Sequence, residues 1–287
     1  MTLYALGADT GPTGIVDGPD GAIWFTDFDA NSIGRITSGG TITNYALSTG
    51  AAPSALVSDG NDALWFTEYG AGKIGRIATN GTLTEHPLPS SSSQPNAIVA
   101  GPDGAFWFTE QRGQAIGRMT TGGALTEYPL NPNSNAGPIT VGPDGALWFC
   151  EIGSNQIGRI TMTGTITKFA VPTASSFPWG IASGSDGVLW FAEHNFSKIG
   201  RITVDGSVTE FPLPSGITLP EAMMARGGLI WFLYDGGIGR IQPDGHVTSS
   251  AVASVDTNSL NAIAQGPGGA TWFTERLSNA IGRISLP

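Results

Sequence analysis

The sequence is short of several things: it has one cysteine, three histidines and 13 basic residues against 23 acidic ones. The lone Cys150 excludes an internal disulfide and leaves the compartment open. A formal net charge of −10 provides no basic patch to displace phosphate counterions, which argues against a nucleic-acid partner. No apolar run approaches the roughly 18 residues a membrane span needs, so no membrane partner is expected. No secretory leader precedes Thr2. The expectation is therefore a soluble protein, cytoplasmic if the sequence is complete and secreted if a leader has been removed. Lysine is scarce while glycine reaches 42 residues, a balance that favours short strands and tight turns over long helices.

What is there is a repeat. Trp-Phe recurs at Trp24, Trp65, Trp107, Trp148, Trp190, Trp231 and Trp272, spaced 41 or 42 residues apart. Each is followed by Ile-Gly-Arg, ending at Arg35, Arg76, Arg118, Arg159, Arg201, Arg240 and Arg283. In the second copy, "SALVSD", "ALWFTE", "KIGRIA" and "TLTEHPL" carry strand character. Asn80-Gly81, Asp205-Gly206 and Asp244-Gly245 have the chemistry of two-residue hairpins. Four antiparallel strands per unit is the size of a propeller blade, so seven units predict one seven-bladed β-propeller domain over residues 1–287. An open solenoid would need capping repeats, and none is visible. Thr2–Leu6 resembles a fourth strand while the last copy stops after its third, so the N-terminus is expected to close the ring. A closed ring leaves few free strand edges, which predicts a monomer.

The segment leading into each first strand lies around the central opening. That position reads Thr13, Ser54, Asn96, Gly137, Trp179, Glu221 and Asn261 along the chain. Variation inside a rigid repeat is where function is written, since the scaffold does not need it. The recurrent Arg and the recurrent acid after Trp-Phe-x (Asp27, Glu68, Glu110, Glu151, Glu193, Glu275) read instead as a structural ion pair within each blade. Cys150 reads as inert core, and His86 and His246 as solvated outer-strand residues.

The sixth copy breaks the pattern. It places Glu221 at the channel mouth, replaces the usual acid by Tyr234 followed by Asp235, and shortens that loop by two residues. Glu221 and Asp235 can hold a hard cation or do acid–base work, or can pair with Arg240 or Arg226. Trp179, the one tryptophan outside the repeat, suits stacking on a ligand or plugging the channel. His194 is the histidine placed where it can act as a base.

The recurrent "P-x-[GA]-I … G-P-D-G … L-W-F-T-E … K-I-G-R-I … G-x-[IL]-T-E-[YF]-x-[LI]-P" pattern resembles the streptogramin (virginiamycin B) lyase family over essentially the whole chain. The resemblance implies a seven-bladed propeller, an antibiotic-resistance role and magnesium-dependent opening of a cyclic depsipeptide lactone by elimination. It also implies a site on the last two blades, with two histidines in "P-H-[GA]-I", an acid two residues before the second, and an acid in the following loop. No "P-H" occurs in this sequence. In chain order the two histidine positions fall on Glu221 and Asn261, the loop acid on Glu275 and the other acid on Ser259. Registered on the shortened blade instead, they fall on Trp179 and Glu221, with Asp235 as loop acid and Leu219 at the other acid's place.

Two classes of function follow. One is a metal-assisted lyase with Glu221 or His194 as base and Glu221, Asp235 and Glu275 around a magnesium ion. The other is a binding propeller whose rim, with Trp179, Asn96, Asn261 and Tyr234, takes a small molecule, a cyclic peptide or a protein.

Overall fold

The computed structural model describes residues 1–252 and 259–285. They form seven four-stranded antiparallel sheets arranged as a β-propeller. Blade one is representative, with strands Pro12–Asp17, Ile23–Asp27, Ser32–Ile36 and Ile42–Ala46 running outward from the channel. In blade seven, Leu260–Gln265, Thr271–Glu275 and Ala280–Ile284 are completed by Thr2–Ala5, with Thr2 opposite Arg283. The N-terminal strand thus closes the ring as expected. Among the described residues, no helix is long and apolar enough to cross a membrane.

The Trp-Phe dipeptide explains how the blades join. Successive strand residues point to opposite faces, so one dipeptide supplies a ring to each side of its blade. Trp24 packs with Phe66 of blade two, Trp65 with Phe108, Trp107 with Phe149, and Trp148 with Phe191. Trp190 then packs with Phe232, Trp231 with Phe273, and Trp272 with Phe25 of blade one. Every hydrophobic cluster therefore lies between two blades. The glycine of Ile-Gly-Arg has a matching cause: Gly34 sits opposite Phe25, and a Cβ there would come 2.0 Å from the phenyl ring.

Three expectations change. The repeated arginines do not pair with the acid after Trp-Phe-x. Arg35, Arg118 and Arg159 meet Asp20, Asp103 and Asp144 of the "GPDG" turns at 2.6, 2.7 and 2.6 Å. Register decides this, because Arg35 faces Trp24 in mid-strand while Asp27 stands at the strand's other end. There Asp27 accepts the Gly11 amide at 2.8 Å. In the Asn-Gly and Asp-Gly turns only the glycines are left-handed (φ of 89°, 94° and 90° at Gly81, Gly206 and Gly245). Gly81 N–H donates to Ala78 at 2.8 Å, so these are type I turns closed by a glycine bulge, not two-residue hairpins. His86 is half-buried and stacks on Trp65 at 5.5 Å, whereas His246 is exposed. Cys150 is fully buried, and burial pushes its thiol pKa up, as inert core requires.

Candidate functional site

The lead-in segments meet at a channel mouth of about 260 Å³. One side is polar, with Thr13, Ser54, Asn96 and Asn261. The other is apolar, with Ile139, Trp179, Ile181 and Met223. Ser54 Oγ donates to Asn96 Oδ1 at 3.2 Å, tying blades two and three across the polar side.

In the lead-ins of blades two to six the chain takes a left-handed residue: Ala52 (φ 44°), Gln94 (52°), Asn135 (49°), Phe177 (58°) and Leu219 (51°). The repeat imposes this conformation, and at Phe177 it places an aromatic ring on the rim. Phe177 stacks on Trp179 (centroids 5.9 Å apart, planes 10° off parallel) and leans on His194 at 6.0 Å. Trp179 is half-buried: it borders the channel while packing on the joint between blades four and five.

Glu221 stands next in the ring. Its amide donates to Leu233 O at 2.9 Å, fixing the lead-in of blade six against that blade's second strand. Its carboxylate is 24% exposed and lies 3.8 Å from His194 Nδ1. That separation is too long for a hydrogen bond. His194 Nδ1 instead lies 3.3 Å from Pro220 O, and as donor to that carbonyl it is the protonated nitrogen of the neutral ring. Burial lowers the His194 pKa against the opposing pull of that bond. Burial, with the Asp235 carboxylate second, pushes the Glu221 pKa up to about 7. Arg226 donates to Thr271 Oγ1 and Gly269 O, and Arg240 to Thr248 Oγ1, so neither neutralises Glu221.

Below Glu221 a crevice of about 10 Å³ is walled by Leu233, Tyr234, Asp235 and Leu260. Tyr234 is only 8% exposed and belongs to the core joining blades five and six. Above Glu221 a wider cleft of about 430 Å³ runs towards blade one, past Asn261, Arg276, Asp29, Thr10 and Asn279. Two features here escaped the sequence reading: Phe177, and Arg276 with its Phe28–Asp29 seat. Both lie in top-face loops, where residue type varies from copy to copy and marks neither of them out.

The residues proposed to hold magnesium do not fit it. Glu275 is fully buried and does not line the crevice. Glu221 and Asp235 share a space that admits about one water, whereas magnesium needs a near-octahedral shell and keeps several waters. Among the described residues, no three His, Cys, Asp or Glu side chains gather at metal-binding geometry.

The sequence profile of the Virginiamycin B lyase family matches residues 1–175 and 131–287. A streptogramin B lyase structure is 38% identical, covering all of this chain and 97% of its own, with a TM-score of 0.92. The virginiamycin B lyase of Staphylococcus aureus is 39% identical, with 100% and 99% coverage and a TM-score of 0.93. A catalytically inactive histidine-to-alanine variant of the S. aureus enzyme, solved with quinupristin, is 40% identical at the same coverage, with a TM-score of 0.91. No curated protein matches the chain.

Proposed function

The chain belongs to the virginiamycin B lyase family, and we propose that it opens the lactone of a cyclic depsipeptide by elimination, with Glu221 as the base. The observation that carries this reading is a carboxyl group with a pKa of about 7, partly exposed between the channel mouth and a cleft. A base poised near neutrality is what proton abstraction beside a carbonyl requires. The inactive relative carries a histidine-to-alanine change, and none of this chain's three histidines lines the channel mouth. With Nδ1–H donated to Pro220 O, His194 keeps its lone pair on Nε2 and is the alternative base; Glu221 is preferred because it lines the cleft and His194 does not.

In the reaction the Glu221 carboxylate takes the proton from the carbon next to a carbonyl. The C–H electron pair becomes a carbon–carbon double bond. The bond from the β-carbon to the ester oxygen breaks, and its pair departs on the carboxylate. Charge gathering on the carbonyl oxygen meets Asn261, which lines both cleft and channel and whose amide is a donor. No water is consumed, so the product keeps the substrate's mass.

Mass spectrometry of a virginiamycin B-type depsipeptide incubated with the protein tests this. A ring-opened product of unchanged mass, absent with Glu221→Gln, is expected. A gain of one water would mean hydrolysis and overturn the elimination.

Binding without chemistry is the second reading. The stacked Phe177–Trp179 pair favours it, because an aromatic platform facing a polar wall holds an amphipathic ring without needing a base. Absence of any product, with Trp179 fluorescence still responding to the depsipeptide, would select this reading.

A further inference from the structure

Across the cleft from Glu221 stands Arg276, the one cation on the cleft's lining among the described residues. It belongs to the top loop of blade seven, but its side chain reaches blade one. Its guanidinium carbon lies 4.9 Å over the Phe28 ring, and Nη2 is 3.4 Å from Asp29 Oδ1. Seated on a ring, a guanidinium keeps its in-plane N–H edge for acceptors, and among the described residues one long contact to Asp29 leaves most of those groups without a protein acceptor. The side chain is 38% exposed and Asp29 is 48% exposed, so the pair contributes little to stability and is open to competition. A planar fork held on an aromatic seat, facing a cleft, matches the geometry of a carboxylate.

We propose that Arg276 is the carboxylate-recognising residue of this site and receives the carboxylate released when the lactone opens. The inference rests on the elimination reading for the origin of that carboxylate. As the ester oxygen departs it gains a full negative charge. A fixed guanidinium at the far end of the cleft stabilises that charge as it forms and then holds the product by two parallel N–H···O bonds. Asp29 has the opposite effect: it partly neutralises Arg276 until the leaving group displaces it.

Calorimetric titration of a synthetic linear peptide acid, and of the same peptide with a terminal amide, tests this without turnover. The wild type is expected to bind the acid roughly ten- to a hundredfold more tightly than the amide, the range for a charge-assisted contact. Arg276→Gln is expected to erase that preference, and Arg276→Lys to retain part of it. Asp29→Asn, which removes the competing carboxylate, is expected to widen it. A structural role for Arg276 predicts no such opposite movement. Equal binding of acid and amide by the wild type, or a preference that survives Arg276→Gln, would overturn the proposal. Turnover is scored separately by mass, so a lyase reading that fails leaves the acid preference readable.

Discussion

Blade two and blade six share a frame and differ at one end. Both place Trp and Phe in the joints on either side, and both pass a glycine over the phenyl ring, Gly75 on Phe66 and Gly239 on Phe232. Each also carries a glutamate whose pKa is pushed up to about 7, chiefly by burial. In blade two that group is Glu68, at the end of the second strand, fully buried behind Lys73 and Glu85. In blade six Tyr234 takes that strand position and the acid stands at the channel mouth as Glu221. A perturbed carboxyl therefore does not by itself mark a site. Its accessibility does, and blade six obtains that by moving the acid rather than by changing its chemistry.

The largest expected effect falls on that difference. Glu221→Gln should lower kcat/KM for the depsipeptide by about 10²–10⁴-fold, the usual share of a general base, with little change in stability. Glu68→Gln should leave turnover unchanged. Comparable rates for the two variants, in a chromatographic assay, would erase the distinction between the blades.

The shared frame predicts equality where the sites predict contrast. Phe66→Ala and Phe232→Ala should each cost about 3–5 kcal/mol in denaturant unfolding, since both rings are fully buried in a joint. A much smaller loss for Phe232 would mean that blade six is packed differently as well as decorated differently.

Next comes pH. Glu68, Glu110 and Glu193 all have pKa values raised to about 7 in the folded protein, from a reference of 4.5. The folded state then holds more protons than the unfolded state between those values. The stability these three groups contribute is fully present below about 4.5 and is lost as pH rises through about 7. Melting temperature should fall across that window, and Glu68→Gln should flatten part of the slope. Turnover should move oppositely, rising through pH about 7 as Glu221 loses its proton. The smallest effect is Trp179→Ala, expected to cost about 1 kcal/mol or less in thermal unfolding, because the ring is only half-buried, while abolishing the fluorescence response to ligand.

Blade number, strand order and ring closure were legible because the Trp-Phe and Ile-Gly-Arg spacing reports strand register directly. The arginine's partner was not, since spacing does not say which end of a strand a side chain reaches, and Asp20 lies in the turn beside Arg35 while Asp27 lies at the opposite end. Within the site, Glu221 and Trp179 were visible as departures from the repeat. Phe177 was hidden because its direction comes from a left-handed backbone residue, and Arg276 because its seat lies on another blade. Asp235 and Glu275 were alternative loop acids in the two registrations of the family pattern, and burial, which spacing does not report, seals Glu275 in its blade.

The placement of every core between neighbours also bears on how such a chain can change. Each joint is the same two-sided lock, a Trp from one copy against a Phe from the next. A copy that keeps its dipeptide remains an acceptable neighbour whatever happens at its mouth. Novelty in one repeat is thus quarantined: blade six could move its acid from the strand end to the channel mouth without any other copy having to answer.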